Sequence, residues 1–153
     1  MQPAVTGAES SSGMRTLFAL IAVLALAGII VSAISLQRHY AKSATEFCDF
    51  SQKFSCDIVN RSEYSSIMGI PVAGIGVVGY GVLFLLSTLW KVRSETPNRL
   101  LGASLAGLVF ALYLTYVEAY VLSTWCILCL ISLSMISLLS VAAVAVKLKS
   151  TTP

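Results

Sequence analysis

The chain has 153 residues, of which 57% are hydrophobic and only 11% are charged, and its net charge is +3. Soluble domains carry about 25% charged residues, so this composition excludes an ordinary soluble domain. The small positive charge gives no reason to expect a nucleic-acid ligand, because the basic residues cluster near the ends of apolar segments, where membrane proteins carry them on the cytoplasmic side.

Four apolar runs are each long enough to cross a membrane. A helix needs roughly 20 apolar residues to span a hydrocarbon core of about 30 Å. The runs predict helices over about 16–36, 69–90, 100–122 and 125–146. We therefore predict an all-α protein, an integral membrane four-helix bundle of up-down-up-down topology, with one long extracytoplasmic loop over about 37–66. Its domain covers 15–149, and residues 1–14 form a disordered cytoplasmic tail.

The first run also has features of a signal peptide, with Arg15 before it and Val31-Ser32-Ala33 as a cleavage site. Its apolar segment exceeds the usual length of roughly 7–15 residues, so we predict a retained anchor. Orientation follows from the basic residues near helix ends. Six of them face the cytoplasm if the N-terminus does (Arg15, Lys91, Arg93, Arg99, Lys147, Lys149), and four face outward (Arg38, Lys42, Lys53, Arg61). This bias predicts that both termini are cytoplasmic.

The loop between the first two helices is the only sizeable segment outside the predicted membrane helices. A loop of this length is usually functional or disordered. Its apolar residues, among them Phe47, Phe50 and Phe54, argue against disorder because they can cover the outer end of the bundle. Ser55 is a suitable N-cap for a short helix that starts at Cys56.

Four cysteines form two pairs, Cys48 with Cys56 in the loop and Cys126-x-x-Cys129 at the start of the fourth helix. At a helix N-terminus, unpaired N–H groups and the helix dipole stabilise a thiolate. Both pairs lie on the predicted extracytoplasmic side, where disulfides persist. Exchange through mixed disulfides can pass electrons between the pairs. We interpret the loop pair as exposed to a soluble partner and the helix pair as adjacent to a lipid-dissolved acceptor, for which a quinone is suitable.

Two other interpretations of the cysteines remain open. Four cysteines can form a structural zinc site, although seven residues separate Cys48 from Cys56 and the usual spacing is about two to four. Two inert structural disulfides are the second alternative, and here a Cys-x-x-Cys at a helix start is a labile, readily exchanged arrangement. We favour a redox role and predict no metal.

Several segments together resemble the vitamin K epoxide reductase family, specifically its stand-alone bacterial members. The matching segments are Cys48-Asp49, the stretch 54–60 (Phe-Ser-Cys-Asp-Ile-Val-Asn) with Ser62, Gly69-Ile70-Pro71, and Trp125-Cys126-Ile127-Leu128-Cys129. The resemblance covers about residues 15–147. The DsbB type of disulfide-generating protein has its Cys-x-x-Cys in the first loop and fits less well. Vertebrate members have a tyrosine where this chain has Leu133, which weakens the case for epoxide reduction.

The resemblance implies a role for each matched residue. Cys48 exchanges with a thioredoxin-like, DsbA-like partner protein. Cys56 then attacks the Cys126–Cys129 disulfide at Cys126, and Cys129 passes the electrons to a membrane quinone, either ubiquinone or menaquinone. Ser62 occupies the place of a hydroxyl that assists electron transfer near the quinone, and a helix-capping serine is its simpler interpretation. The resemblance also implies a bacterial inner membrane location that supports disulfide formation in other proteins.

Two alternative functions remain beside this one. A thiol-driven quinone or quinone-epoxide reductase would use the same site for the sake of the quinone product. A non-enzymatic membrane scaffold would use the disulfides only to pin its loop.

Several further polar and aromatic residues lie within or beside the apolar runs. Glu118 is the single acid within an apolar run; it is either a proton donor for quinone reduction or a side chain that extends to the membrane surface, and we favour the second. His39 is interpreted as a surface residue. Tyr113, Tyr116 and Tyr120 either line the quinone site or pack at the membrane interface.

Overall fold

The computed structural model describes residues 5–40, 48–49, 51–90 and 93–152, with side chains from Ser12 onward. Its elements in chain order are α1 (Val5–Tyr40), α2 (Cys56–Arg61), a 3-10 turn (Glu63–Ser65), β1 (Ser66–Ile67), β2 (Ile70–Pro71), α3 (Val72–Thr88), α4 (Thr96–Tyr116), a π-helical segment (Val117–Leu122) and α5 (Ile127–Thr151). Helices dominate this list, which confirms the predicted all-α class.

The four long helices pack side by side around one apolar core. α1 packs against α3 and α5, and α4 packs against α5 and α3. The core includes Ile21 and Ala25 of α1, Leu83 of α3, Leu100 of α4 and Leu139 of α5. Three helices are long and apolar enough to cross a membrane, namely Ser12–Tyr40, Thr96–Leu122 and Ile127–Thr151. The chain is a membrane protein in which α3 is the shorter apolar helix.

α3 is shorter than the sequence predicts because a small hairpin takes its first residues. The strands β1 and β2 pair antiparallel, and the turn between them places Met68 and Gly69 at φ of 53° and 82°. Glycine accepts this left-handed region without a side-chain clash, whereas methionine does so at a cost. The helix therefore begins at Val72 rather than near residue 69, and its 17 residues span about 25 Å.

The N-terminal segment differs from the predicted disordered tail. Residues 5–14 continue α1 as helix, whereas residues 1–4 lie outside the described part of the chain. This segment contains alanine, serine and valine residues and no proline, so the helix can continue through it. A β-carbon added to Gly13 would lie 2.6 Å from the Lys149 ammonium, so the start of α1 lies beside the end of α5.

Small residues allow α1 and α3 to approach each other closely. A β-carbon placed on Gly28 would lie 2.4 Å from the Tyr80 ring, and one placed on Gly76 would lie 2.8 Å from Ser32 Oγ. The Tyr80 hydroxyl is held in turn by the carbonyl and the hydroxyl of Ser132 on α5, both at 2.9 Å. Gly28 and Gly76 thus let α1 and α3 pack at close range.

Replacing Gly28 with alanine should destabilise the bundle by about 1–3 kcal/mol, the usual cost of overpacking a tight contact. The added methyl group has no room beside the Tyr80 ring, so α1 and α3 must separate. Thermal unfolding of the purified protein in detergent measures the effect. Gly102→Ala is the matched control, because a β-carbon there meets nothing within 4 Å and the change should leave stability unchanged or raise it. Equal stability of both variants would contradict the close approach.

Candidate active site at the cysteine pairs

The long loop docks against the segment that leads into α5. Phe54 and Trp125 form an isolated parallel bridge, in which Trp125 N donates to Lys53 O at 2.8 Å and Ser55 N donates to Trp125 O at 3.2 Å. Phe54 lies two residues before Cys56, and Trp125 lies directly before Cys126. These backbone bonds therefore bring the two cysteine pairs together.

Ser55 caps α2 as predicted and also ties the loop to itself. Its Oγ accepts a hydrogen bond from Ile58 N at 3.3 Å and donates one to Asp49 Oδ1 at 2.5 Å. The same carboxylate oxygen accepts from Asp57 N at 3.4 Å. Asp49 follows Cys48 and Ser55 precedes Cys56, so this network holds the two loop cysteines side by side.

Cys48 and Cys56 form a disulfide, while Cys126 and Cys129 are free thiols. The two loop cysteines are 2% and 1% exposed and Cys126 is fully buried, and these three pack with Val59 and Leu128 in one cluster that Cys129 adjoins. The interpretation of the loop pair as exposed is therefore wrong for this structure. Both loop cysteines pack in this cluster instead of facing solvent.

Cys126 is the N-cap of α5 and Cys129 lies in its first turn. The helix therefore begins at Ile127, two residues after the predicted start. A hydrogen bond from the Cys129 thiol lowers the pKa of Cys126, and the backbone N–H groups of Cys129 and Leu128 lower it further. Burial and the nearby Glu118 carboxyl oppose this effect. Asn60 of α2 adds a donor, since its Nδ2 lies 3.8 Å from Cys126 Sγ and 2.8 Å from Cys56 O.

Removing the Cys129 thiol should raise the pKa of Cys126, because the largest stabilising interaction of its thiolate is lost. The measurement is the ultraviolet absorbance of thiolate against pH in a Cys48→Ala, Cys56→Ala background, with and without Cys129→Ala. The added substitution should shift the first titration to higher pH, so less thiolate is present at neutral pH. An unchanged or lowered midpoint would contradict this assignment.

Glu118 is buried beside the helix cysteines. It is the second residue of the π-helical segment, whose C-cap Ser123 lies in the left-handed region with φ of 50°. Its side chain is 2% exposed, and its Oε2 accepts a hydrogen bond from Cys126 N at 3.1 Å. The prediction that Glu118 extends to the membrane surface is therefore wrong. The π-helical turn rotates this carboxyl toward the start of α5 instead.

A cavity of about 420 Å³ lies between the long helices below the docked loop. Small and apolar residues from α3 and α4, including Gly76, Gly79 and Ala106, form much of its wall. Cys129 is the one cysteine among the described residues that lines it. Its volume falls in the range of small-molecule sites, about 300–1,000 Å³. The apolar wall and the single reactive sulfur fit the flat ring of a quinone.

Polar side chains also line the cavity. They include Ser62, Ser65, His39, Asn60, Tyr64, Glu118 and Ser132. His39, interpreted from the sequence as a surface residue, is half-buried, and its Nδ1 donates to Asn60 O at 2.5 Å. Ser62 lies at the end of α2, where its Oγ donates to Val59 O at 2.8 Å. Ser62 thus both caps a helix and faces the cavity.

The three tyrosines of the third predicted helix lie elsewhere. Tyr113, Tyr116 and Tyr120 are exposed and are not among the residues that line the cavity. The rings of Tyr116 and Tyr120 pack with their centroids 4.9 Å apart. Of the two interpretations, the structure favours packing at the membrane interface, where aromatic rings with a polar tip are enriched.

Sequence reasoning missed the roles of Asn60, His39 and Ser132 in this arrangement. Asn60 was one letter of a matching stretch, and nothing in the sequence placed its amide beside Cys126. Among the residues that the structure describes, no group of three or more His, Cys, Asp or Glu side chains is arranged to hold a metal ion.

Comparison with known families agrees with this site. The model of the vitamin K epoxide reductase family matches residues 19–144, from α1 to α5, and so includes both cysteine pairs and the whole cavity wall. This match and the apolar helices give the protein its general class, a membrane thiol oxidoreductase. The chain belongs to the vitamin K epoxide reductase family.

Proposed function

We propose that the protein oxidises a thioredoxin-like, DsbA-like partner and passes the electrons through both cysteine pairs to a membrane quinone, either ubiquinone or menaquinone. The observation that carries this proposal is the position of Cys129. It alone among the four cysteines lines the apolar cavity, and it also adjoins the buried cluster of the other three sulfurs. A site with one cysteine pair in the loop and one thiol that lines the cavity can connect a soluble dithiol to a lipid-soluble acceptor.

The electron route balances as two exchange steps and one oxidation. A partner dithiol reduces the Cys48–Cys56 disulfide through a mixed disulfide at Cys48 and leaves oxidised. The Cys56 thiolate then attacks the Cys126–Cys129 disulfide at Cys126, and closure of the Cys48–Cys56 bond releases both helix thiols. The helix pair finally gives two electrons to the quinone, which becomes the hydroquinone. The structure, with an oxidised loop pair and a reduced helix pair, has the redox pattern that precedes this last step.

The partner needs access to Cys48, which is buried under the docked loop. The described docking contacts include two backbone hydrogen bonds to Trp125 and the weak contact of Asn60 with Cys126 Sγ, none of them a covalent bond. We therefore propose that the loop opens to meet the partner and docks again to reach Cys126. Such a cycle keeps the helix pair away from other thiols in the outer compartment.

The proposed setting is the bacterial inner membrane, with an up-down-up-down bundle and both termini in the cytoplasm. The neighbouring positions of Gly13 and Lys149 support it, because the start of α1 and the end of α5 then share one side. The cysteines lie at the other end of the bundle, where α1 ends near His39 and α5 begins directly after Cys126. The basic residues Arg15, Lys147 and Lys149 accordingly lie on the predicted cytoplasmic side.

Complementation tests the proposal in cells. A bacterium that lacks its own disulfide-generating membrane enzyme should regain extracytoplasmic disulfides when it expresses this chain. Each of the four single Cys→Ala variants should lose that rescue while the protein still reaches the membrane. Rescue by all four variants would exclude an electron relay.

Purified protein tests the acceptor directly. Reduced partner protein should convert short-chain ubiquinone or menaquinone analogues to the hydroquinone only when the oxidoreductase is present. Folded protein that exchanges no electrons with either quinone would support the scaffold alternative instead. A topology label that places residues 51–65 in the cytoplasm would also rule out the proposed route.

A further inference from the structure

The two-electron step at the cavity leaves one proton without an obvious carrier. With Cys126 as thiolate and Cys129 as thiol, disulfide formation releases the Cys129 proton inside the protein, while the reduced quinone must gain two protons. The described residues that line the cavity include no lysine, arginine or aspartate. Glu118 is the one acidic residue among them.

Glu118 has the geometry of a group that receives and returns a proton. One carboxyl oxygen, Oε2, accepts the Cys126 N–H, and the other, Oε1, is buried with no hydrogen-bond partner. A buried unpartnered carboxyl oxygen is costly, and such exceptions require an explanation. The carboxyl interacts with the side chains of both Cys126 and Cys129, and it also lines the cavity.

We propose that Glu118 is the acid–base residue of the final step, which carries the Cys129 proton to the reduced quinone. The inference rests on the function proposed above. As the S–H bond of Cys129 breaks, the proton passes to the Glu118 carboxylate, and the two sulfurs close the disulfide with loss of two electrons. Glu118 then gives that proton to a quinone oxygen, and solvent supplies the second proton. The sum is one thiolate, one thiol, one quinone and one proton converted to a disulfide and a hydroquinone.

The groups around Glu118 fit this assignment. Cys126 and Cys129 face it from the start of α5, and His39 of α1 and Tyr80 of α3 line the same cavity. None of them forms an ion pair with Glu118 in the described part of the chain. A fixed counter-ion would hold the carboxyl in one charge state, and its absence there leaves Glu118 able to change state.

The substitution Glu118→Gln separates proton transfer from positioning, since its amide oxygen can still accept the Cys126 N–H but cannot take up a proton. Single-turnover oxidation of the reduced helix pair by a short-chain quinone should slow by about 10²-fold or more, the usual contribution of a general acid–base group. Without quinone, electron transfer from the partner to the Cys126–Cys129 disulfide should change far less, because that exchange needs no proton transfer to quinone and the amide keeps the Cys126 N–H bond. Glu63→Gln, an exposed carboxyl on the loop side, is the matched control and should leave both rates unchanged.

A second variant keeps the test decisive if the first is unstable. Glu118→Ala opens space for a small acid, so formate should restore quinone-driven oxidation while chloride at the same ionic strength should not. Wild-type quinone rates in Glu118→Gln, or equal loss of quinone-driven oxidation and internal exchange, would overturn the proton-carrier role. Wild-type protein that reduces no quinone would instead remove the proposed function itself, so the two failures are distinguishable.

Discussion

A Cys48→Ala, Cys129→Ala double variant should accumulate an internal disulfide between Cys56 and Cys126, although 69 residues separate them in the chain. Each substitution removes the neighbour that would otherwise resolve the bond, Cys48 for the loop pair and Cys129 for the helix pair. Mild oxidation should therefore trap most of the protein in this form. Proteolysis followed by mass spectrometry, without reductant, identifies the linked peptides.

The geometry around Asn60 is the reason for this expectation. The Asn60 amide donates to Cys56 O and lies 3.8 Å from Cys126 Sγ, so α2 presents Cys56 to the start of α5. The bridge between Phe54 and Trp125 fixes the two chain segments in register. Because both cysteines are buried in the same cluster, competing thiols have little access.

The matched control retains the other helix cysteine. In Cys48→Ala, Cys126→Ala protein, Cys56 would have to bond to Cys129, which lies in the first turn of α5 and lines the cavity. This variant should form much less of the internal bond. Equal yields from the two variants would show that free motion of the loop, and not its docked position, decides which sulfurs meet. Absence of the bond in both variants would contradict the relay.

The sequence predicts the long helices well because an apolar run must hide its backbone polar groups in a helix to enter lipid. The ends of the helices are harder to predict, since charges mark where an apolar run stops rather than where hydrogen bonding changes. α4 thus begins at Thr96, where Pro97 is tolerated in the first turn, four residues before the predicted start. The hairpin before α3 and the π-helical end of the third run leave the apolar pattern unchanged, so the pattern contains no sign of them.

The candidate site is only partly readable from the sequence. The four cysteines and the N-cap Ser55 stand out because their spacing and chemistry are local. The contact of Phe54 with Trp125 joins segments 71 residues apart and depends on the fold of the whole bundle. Glu118 shows the same limit, since its position near a helix end suits either a surface or a buried carboxyl, and one π-helical turn decides between them.

Filling the cavity from α3 should impair quinone reduction without disturbing the cysteines. A β-carbon on Gly79 meets nothing within 4 Å, and Gly79 lines the cavity, so the larger side chain of Gly79→Leu has open space to enter. If the quinone ring occupies that space, overpacking of about 1–3 kcal/mol corresponds to a rise of roughly 5- to 150-fold in the KM for quinone. Steady-state quinone reduction with reduced partner protein measures the change.

Gly81→Leu provides the matched control on the same helix. A β-carbon on Gly81 also meets nothing within 4 Å, but Gly81 is not among the residues that line the cavity. Both substitutions exchange a helical glycine for leucine and should affect helix propensity alike. Only Gly79→Leu should raise the KM, and its Cys56-to-Cys126 exchange without quinone should keep the wild-type rate because the leucine lies away from the docked loop. Equal KM values for the two variants would place the quinone outside this cavity and leave Cys129 without the acceptor that its position suggests.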